Sequence, residues 1–187
     1  MIARSLVLVV SLLLSPALFA QVTIPVVPDP VTLFADEDRD WGVAPTTQPR
    51  QRPYHAPTPL LLPGGRVINT LELRALLDAN QDVLVIDVLD GNTRNTMAGA
   101  VWMPGVGSGR MFRGERHRFA AALERLSGGD KSRPIVFLCI NSECWLSYNA
   151  ALYAIEAGHT DVIWYRGGSE AWRGAGLPRQ TPERVGW

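Results

Sequence analysis

Five short segments of the chain have the residue pattern of β-strands. A strand buried on both faces of a sheet needs an uninterrupted apolar run, and three segments provide one: residues 83–86, 135–138 and 162–165. Residues 66–68 and 100–103 predict two further short strands, and Pro104-Gly105 ends the second of these. All five segments follow residue 63 of the chain.

Helical spacing of apolar residues separates these strands. The first predicted helix begins at a capping residue, Asn69 or Thr70, and carries apolar side chains at i, i+3 and i+4: Leu73, Leu76 and Leu77. Two more helices are predicted over residues 119–126 and 146–157, and glycine follows each of them. Strands that alternate with helices predict an α/β domain with a mainly parallel sheet flanked by helices.

The first 20 residues have the pattern of a secretory signal peptide. Arg4 precedes the apolar run of residues 6–14, and small residues follow at Ala17 and Ala20. An uncleaved membrane anchor is the alternative, but the run is shorter than the about 20 apolar residues that span a bilayer. We therefore expect a cleaved leader, no membrane span in the mature chain and, in a bacterium, a periplasmic protein whose thiols meet oxidising conditions.

Residues 21–63 differ in composition from the rest of the chain. They hold nine of the 14 prolines and one of the 17 glycines, which excludes a central strand or a long helix. We interpret them as an extended, proline-rich N-terminal arm, partly ordered against the domain. Its charges at residues 36–38 and at Arg50 and Arg52 are predicted to be solvated. The domain itself is predicted over residues 64–178, with a C-terminal tail at 179–187.

Composition narrows the kind of chemistry that the chain can perform. The 18 basic and 18 acidic residues cancel, which argues against nucleic acid as the main partner. Two cysteines cannot form a disulfide scaffold, and three histidines offer little material for a metal site. We therefore expect neither a metal nor a bound cofactor, and we expect the chemistry to be concentrated in few residues.

Two predicted strands end in residues that can do chemistry. Ligands and reactive groups gather beyond the carboxyl ends of parallel strands, where Asp87 and Cys139 lie. Unpaired amides of the following loop and helix start would stabilise a thiolate at Cys139; an inert buried thiol is the alternative. Asp87 is interpreted as an acceptor that orients the loop. The remaining candidate residues form the loop itself: Ile140, Asn141, Ser142, Glu143, Cys144 and Trp145.

Two sequence motifs resemble those of rhodanese domains. One is Met97-Ala98-Gly99-Ala100-Val101 followed by Met103-Pro104, and the other is the closing string Gly-Gly…Ala-Trp…Gly-Leu-Pro at residues 167–178. The resemblance covers residues 64–178. It implies the rhodanese-like fold and a sulfurtransferase reaction in which Cys139 carries the sulfur as a persulfide.

The leader, the arm and the pair Cys144-Trp145 are similar to one rhodanese-like subfamily. It comprises periplasmic proteins associated with PQQ-dependent catabolism and named for a C-x-x-C-W motif. That resemblance implies an indirect association with PQQ enzymes of alcohol oxidation, the partner being a periplasmic quinoprotein dehydrogenase or its cytochrome. The spacing here is wider, because four residues separate Cys139 from Cys144.

The cysteine loop departs from that of ordinary rhodaneses in its charge. Residues 140–149 contain no arginine or lysine to hold thiosulfate, and Glu143 has the wrong sign for an anionic donor. We therefore predict weak thiosulfate sulfurtransferase activity and a reversible Cys139–Cys144 disulfide, a permanent structural bridge being the alternative. The functions that remain are a redox or sulfur-handling accessory protein, a docking module, a classical sulfurtransferase, and a carrier of a small redox molecule.

Overall fold

A computed structural model describes residues 36–80 and 82–187. The predicted signal peptide and residues 21–35 of the arm lie outside the described residues. In the described part of the chain, no helix has the length and apolar character needed to cross a membrane.

The centre of the fold is a parallel sheet of five strands. Its strands are β1 (Arg66–Ile68), β2 (Leu84–Asp87), β4 (Val101–Trp102), β5 (Ile135–Leu138) and β6 (Val162–Tyr165), in the order β1-β6-β5-β2-β4. Every neighbouring pair in this sheet is parallel. The predicted α/β fold with a mainly parallel sheet is therefore confirmed, and β5 and β6 have the predicted bounds.

A second, two-stranded sheet was not predicted. It joins β3 (Thr96–Met97) to β7 (Arg179–Gln180) in antiparallel register. The chain after β7 continues along the domain, because the Trp102 amide donates to the carbonyl of Glu183 at 2.7 Å and the Val185 amide donates to that of Trp102 at 2.8 Å. The C-terminal residues thus cover the outer edge strand β4.

Within residues 36–80 and 82–187, four helices flank the central sheet: α1 (Thr70–Ala79), α2 (Arg113–Ser127), α3 (Trp145–Glu156) and α4 (Gly168–Gly174). Asn69 caps α1 as predicted, and its side chain accepts from the Glu72 amide while the Glu72 carboxylate accepts from the Asn69 amide. Helix α2 begins six residues before the predicted start, because its exposed first two turns carry no apolar pattern. Helix α4 is too short for a periodic pattern to reveal.

Alternate residues of each central strand face two separate apolar layers. Ile135 and Phe137 pack with α2 and α3 on one face, whereas Val136 and Leu138 pack with α1 and α4 on the other. Both layers are fully buried at these strands. This double burial explains the uninterrupted apolar runs in the sequence. It also fixes the orientation of each strand, and with it the edge of the sheet at which the strand ends.

Residues 36–63 form no helix or strand, yet they pack closely on the domain. The Tyr148 hydroxyl donates to the Thr46 carbonyl at 2.8 Å, and the Arg50 amide donates to Asn149 Oδ1 at 2.8 Å. The prediction that residues 36–38 are solvated is wrong for Glu37, whose exposed fraction is 4%. This part of the arm therefore belongs to the folded structure.

Candidate functional site

Three polar or reactive residues meet at the carboxyl edge of the central sheet. Asp87 ends β2, Cys139 follows β5, and Arg166 follows β6. The strands are adjacent in the order β6-β5-β2, so Cys139 lies between the other two. This is the edge at which the sequence analysis expected the site.

Cys139 and Cys144 are joined by a disulfide, with their Cα atoms 6.2 Å apart. Both residues are buried, with exposed fractions of 1% and 5%. Cys144 is the N-cap residue of α3, so the bridge links the end of β5 to the start of the helix that follows it. Residues of the arm pack over Cys144. Whether the bridge opens and closes reversibly stays a prediction.

More amides of the cysteine loop donate hydrogen bonds within the protein than the sequence predicted. The Glu143 amide donates to Asn141 Oδ1 at 3.2 Å, and the Cys144 amide donates to the Asn141 carbonyl at 3.1 Å. The Trp145 amide, the first of α3, donates to the Tyr54 carbonyl at 2.9 Å. The expectation of unpaired amides is therefore wrong for these three residues. Asn141 holds the loop in shape, and the arm takes the helix start that an anion would otherwise use.

The arm runs antiparallel to the loop and closes over it. His55 and Cys144 form an isolated antiparallel bridge, and the Ala56 amide donates to the Glu143 carbonyl at 2.9 Å. The Trp145 indole N–H donates to the carbonyl of Pro57 at 3.1 Å. The Thr58 hydroxyl donates to the carbonyl of Ser142. Residues 54–58 thus contact every loop residue from 142 to 145.

Arg166 fixes the arm in this position. Its exposed fraction is 1%, and its guanidinium stacks on Trp41 at 4.6 Å from the ring centre. It donates hydrogen bonds to the Thr58 hydroxyl and to four backbone carbonyls: those of Asp36, Glu37, Arg39 and Thr58. No periodic pattern marks contacts of this kind, so the sequence analysis missed Arg166.

Glu37 anchors the arm at a second point, the start of α1. Its carboxylate accepts from the Thr70 amide and from the Thr70 hydroxyl, both at 2.6 Å. Burial raises the pKa of Glu37 to about 7, and the two hydrogen bonds from Thr70 oppose that shift. The carboxyl is thus near its titration point at neutral pH, and its charged form is held by the helix start.

Asp87 is a hydrogen-bond acceptor at the end of β2, and its role in orienting the loop stays a prediction. Its carboxylate accepts from the Leu89 amide at 2.9 Å and from Arg94 Nε at 2.7 Å, and Arg94 Nη2 donates to the Ser169 hydroxyl at 2.7 Å. Burial raises the pKa of the Asp87 carboxyl, and the guanidinium of Arg94 opposes that shift. The pair therefore ties β2 to α4, whose Ser169 amide donates to the Cys139 carbonyl at 3.0 Å.

Helix α4 holds the first half of the cysteine loop. The Glu170 amide donates to the Ile140 carbonyl at 2.9 Å, and Asn141 Nδ2 donates to the Glu170 carboxylate at 3.0 Å. Gly168 has φ of +64°, and a Cβ there would lie 2.7 Å from the Ile140 carbonyl carbon. Glycine permits both the left-handed conformation and this close approach. The Gly-Gly pair of the closing motif is thus explained by the close packing of α4 on the cysteine loop.

Acidic and basic side chains both lie beside the cysteine loop. Glu143 is partly exposed and lies 3.8 Å from the His55 ring nitrogen Nε2. Trp145 is buried and stacks under Arg50, whose guanidinium lies 5.0 Å from the ring centre. In the described part of the chain, no group of three or more His, Cys, Asp and Glu residues could hold a metal ion.

Comparisons with solved structures give similarities below 25% identity. A full-length protein from Lactobacillus plantarum is 20% identical, with a TM-score of 0.47 over 62% of this chain and 87% of that one. A thiosulfate sulfurtransferase from Pseudomonas aeruginosa is 19% identical, with a TM-score of 0.49 over 66% and 22% of the two chains. A polysulfide-sulfur transferase homodimer from Wolinella succinogenes is 18% identical, with a TM-score of 0.45 over 63% and 80%.

The family comparison agrees with the motifs and with the position of the cysteine loop. No curated protein matches the chain. The family model for the rhodanese-like domain matches residues 69–175, which include β2, β5, the cysteine loop and α4. The chain therefore belongs to the rhodanese-like domain family.

Proposed function

We propose that this protein is a periplasmic member of the rhodanese-like family in which Cys139 and Cys144 alternate between a dithiol and a disulfide. The observation that carries the proposal is the bond between the two cysteines. Membership of the family supports the handling of sulfur at this site. In the bridged form Cys139 has no thiol that could accept a sulfur atom. The disulfide must therefore be reduced before any sulfur transfer.

A purely structural bridge explains this disulfide less well. The two cysteines are five positions apart, and closing so short a loop removes little conformational entropy from the unfolded chain. The loop is also held by Asn141 and by the arm through backbone hydrogen bonds. A bond that adds little to stability at the reactive edge of the sheet is better explained by its chemistry.

The proposed reaction exchanges two electrons with a partner dithiol. A partner thiolate attacks Sγ of Cys139, a mixed disulfide forms, and Cys144 leaves as a thiolate that takes up a proton. The second partner thiolate then attacks the partner sulfur of the mixed disulfide and releases Cys139 as a thiolate. The partner dithiol is oxidised to a disulfide and the protein disulfide is reduced to two thiols. The dipole of α3 favours negative charge on the departing Cys144, the N-cap residue, even though the arm takes the hydrogen bond of the Trp145 amide.

The compartment and the biological setting are part of the proposal. The leader pattern of residues 1–20 supports export, and a dithiol–disulfide pair suits a compartment in which disulfides persist. The pair Cys144-Trp145 resembles the proteins associated with PQQ-dependent catabolism. We therefore assign the protein an accessory role in alcohol oxidation, with a periplasmic quinoprotein dehydrogenase or its cytochrome as partner and no cofactor of its own.

A docking module is the second candidate, and the burial of the pair favours it. Both cysteines are buried, and arm residues contact the whole second half of the loop, Cys144 included. A protein that only docks would keep the arm closed and its disulfide intact. The two functions therefore differ in whether the bridge exchanges with an outside thiol while the protein stays folded.

The test mixes the oxidised full-length mature protein with a peptide that carries two thiols, in the absence of oxygen. We expect one peptide disulfide for each protein molecule, together with two new protein thiols, while the circular dichroism spectrum is retained. The variants Cys139→Ser and Cys144→Ser should produce none. An unreacted bridge in the folded wild type would favour the docking module. For the link to alcohol oxidation, we expect that loss of the gene impairs growth on primary alcohols and that the Cys139→Ser variant does not restore it.

A further inference from the structure

Four arginines lie on one surface next to the cysteine loop. Residues 50–54 and 108–113 contain these four arginines and no acidic residue. The segments pack together, since the Gln51 side chain donates to the Gly109 carbonyl and the Gly109 amide donates to the Tyr54 hydroxyl at 3.0 Å. A Cβ on Gly109 would lie 1.9 Å from the Arg50 carbonyl oxygen, so glycine permits the contact. We call this the basic surface: Arg50, Arg52, Arg110 and Arg113.

The positive charge of the basic surface is not compensated within the described residues 36–80 and 82–187. None of its arginines forms an ion pair there, whereas Arg116, one turn further along α2, pairs with Glu156 at 2.8 Å. Arg52 stacks on Tyr54, 5.4 Å from the ring centre. The guanidinium groups of Arg110 and Arg113 make no hydrogen bond to a described residue. Their donors are thus available to a ligand.

The start of α2 breaks two local rules of helix formation at the same place. Its N-cap is Phe112, a residue without a side-chain acceptor, and 68% of Phe112 is exposed. Arg113 puts a positive charge in the first turn, where the helix dipole disfavours it, although Glu115 in the same turn supplies a carboxylate that accepts from the Phe112 amide at 2.7 Å. Residues that violate local preferences without a gain in folding are expected at functional sites.

We propose that the basic surface binds an acidic face of a partner protein, with Phe112 filling an apolar contact at its centre. Arginine presents a planar set of donors that matches carboxylates in pairs, and arginine with aromatic residues is enriched at protein interfaces. An acidic partner would relieve the repulsion among four uncompensated charges. The surface continues through Tyr54 to His55, opposite Cys144, so a bound partner lies beside the disulfide. Docking at this surface does not depend on the redox reaction.

The test measures binding of a fluorescein-labelled peptide of aspartate, glutamate and leucine to the oxidised full-length mature protein by fluorescence anisotropy. We expect binding at low salt that weakens as ionic strength screens the charges. The variant R110E/R113E should lower the affinity at least about tenfold, and F112S about threefold. The matched control R179E/R184E has the same change in charge in the C-terminal segment, outside the basic surface, and should bind like the wild type. Arg113→Glu suits the first turn of α2, so folding is retained, and circular dichroism checks it.

Three results would overturn this proposal. The first is equal affinity of R110E/R113E and R179E/R184E for the acidic peptide, and the second is no binding at low salt. The third is tighter binding to vesicles of phosphatidylcholine and phosphatidylglycerol, or to a DNA duplex, than to the peptide, because the surface would then select phosphates. A disulfide that fails to exchange with thiols would contradict the proposed function and leave the docking surface unaffected.

Discussion

His55 lies directly across from Cys144 in an isolated antiparallel bridge. The hydrogen bonds on either side, from the Ala56 amide to the Glu143 carbonyl and from the Trp145 amide to the Tyr54 carbonyl, make this a non-hydrogen-bonded pair. Side chains of such a pair lie on the same face and close together. A residue of the arm thus lies next to the cysteine that leaves as a thiolate when the disulfide opens, and we expect its imidazole to supply the proton.

The variant His55→Gln should therefore slow the opening of the disulfide. The imidazole can give a proton to the leaving Cys144 thiolate, so we expect reduction by dithiothreitol to be about tenfold slower than in the wild type. The readout is the rate of thiol release, with His117→Gln, an exposed histidine of α2, as the control. Equal rates in His55→Gln and the wild type would contradict the role of His55.

The arm should control access to the disulfide. The variant Ala56→Pro removes the amide that donates to Glu143, and loosening residues 54–58 should raise the rate of reduction about tenfold. Ala44→Pro is the matched control, because Ala44 also precedes a proline in the arm and its amide makes no hydrogen bond within the described residues. Thiol release after addition of dithiothreitol measures both rates. Equal rates in the two variants would show that the arm does not limit access.

The stability of the fold should depend on pH through Glu37. Its pKa is raised from 4.5 to about 7 by burial, so the folded state binds a proton that the unfolded state releases between these values. Stability is then greatest below pH 4.5 for this group and is lost as the pH rises through 7. Across this range, the free energy of unfolding measured with urea should fall by up to about 3 kcal/mol more in the wild type than in Glu37→Gln. The exposed neighbour variant Asp38→Asn should follow the wild type; a wild-type profile parallel to that of Glu37→Gln would refute the assignment.

Thiosulfate should be a poor substrate even for the reduced protein. The loop offers no cation to hold the donor, and Glu143 repels it. In a Cys144→Ala background, which keeps Cys139 as a free thiol, the further change Glu143→Arg should raise thiocyanate formation from thiosulfate and cyanide about tenfold. The change Glu183→Arg, at an exposed position outside the loop, is the control. Brisk turnover by the unmodified reduced protein would mean that another group binds the anion.

The sequence pattern predicted the central sheet because strands that are buried on both faces consist of uninterrupted apolar residues. Residues 135–138 and 162–165 are wholly apolar, and the structure gives β5 and β6 those bounds. The closing motif at residues 167–178 pointed to the family, and the structure shows that its Gly168 allows α4 to approach Ile140. These features follow from side-chain type and spacing.

The packing of the arm over the cysteine loop could not be predicted from the residue pattern. Arg166 holds the arm mainly through backbone carbonyls, and Tyr54 and Ala56 contact the loop through their own backbone groups. Backbone hydrogen bonds of this kind are independent of residue type, so they leave no periodic pattern. The proline content of the arm suggested an extended segment and gave no indication of what it covers.

The most direct test of the redox account is thiol trapping with a mass tag on the mature protein taken from its own compartment. The account predicts no tag on the untreated protein, two tags after mild reduction without denaturant, and loss of both when oxidant is added back. In the Cys144→Ser variant, the Cys139 thiol should exchange with an added disulfide, oxidised glutathione, to form a mixed disulfide and release one glutathione thiol, whereas Cys144 in Cys139→Ser should react more slowly. Two free thiols that stay free under oxidant, or a bridge that opens only when the protein unfolds, would contradict a reversible dithiol–disulfide pair.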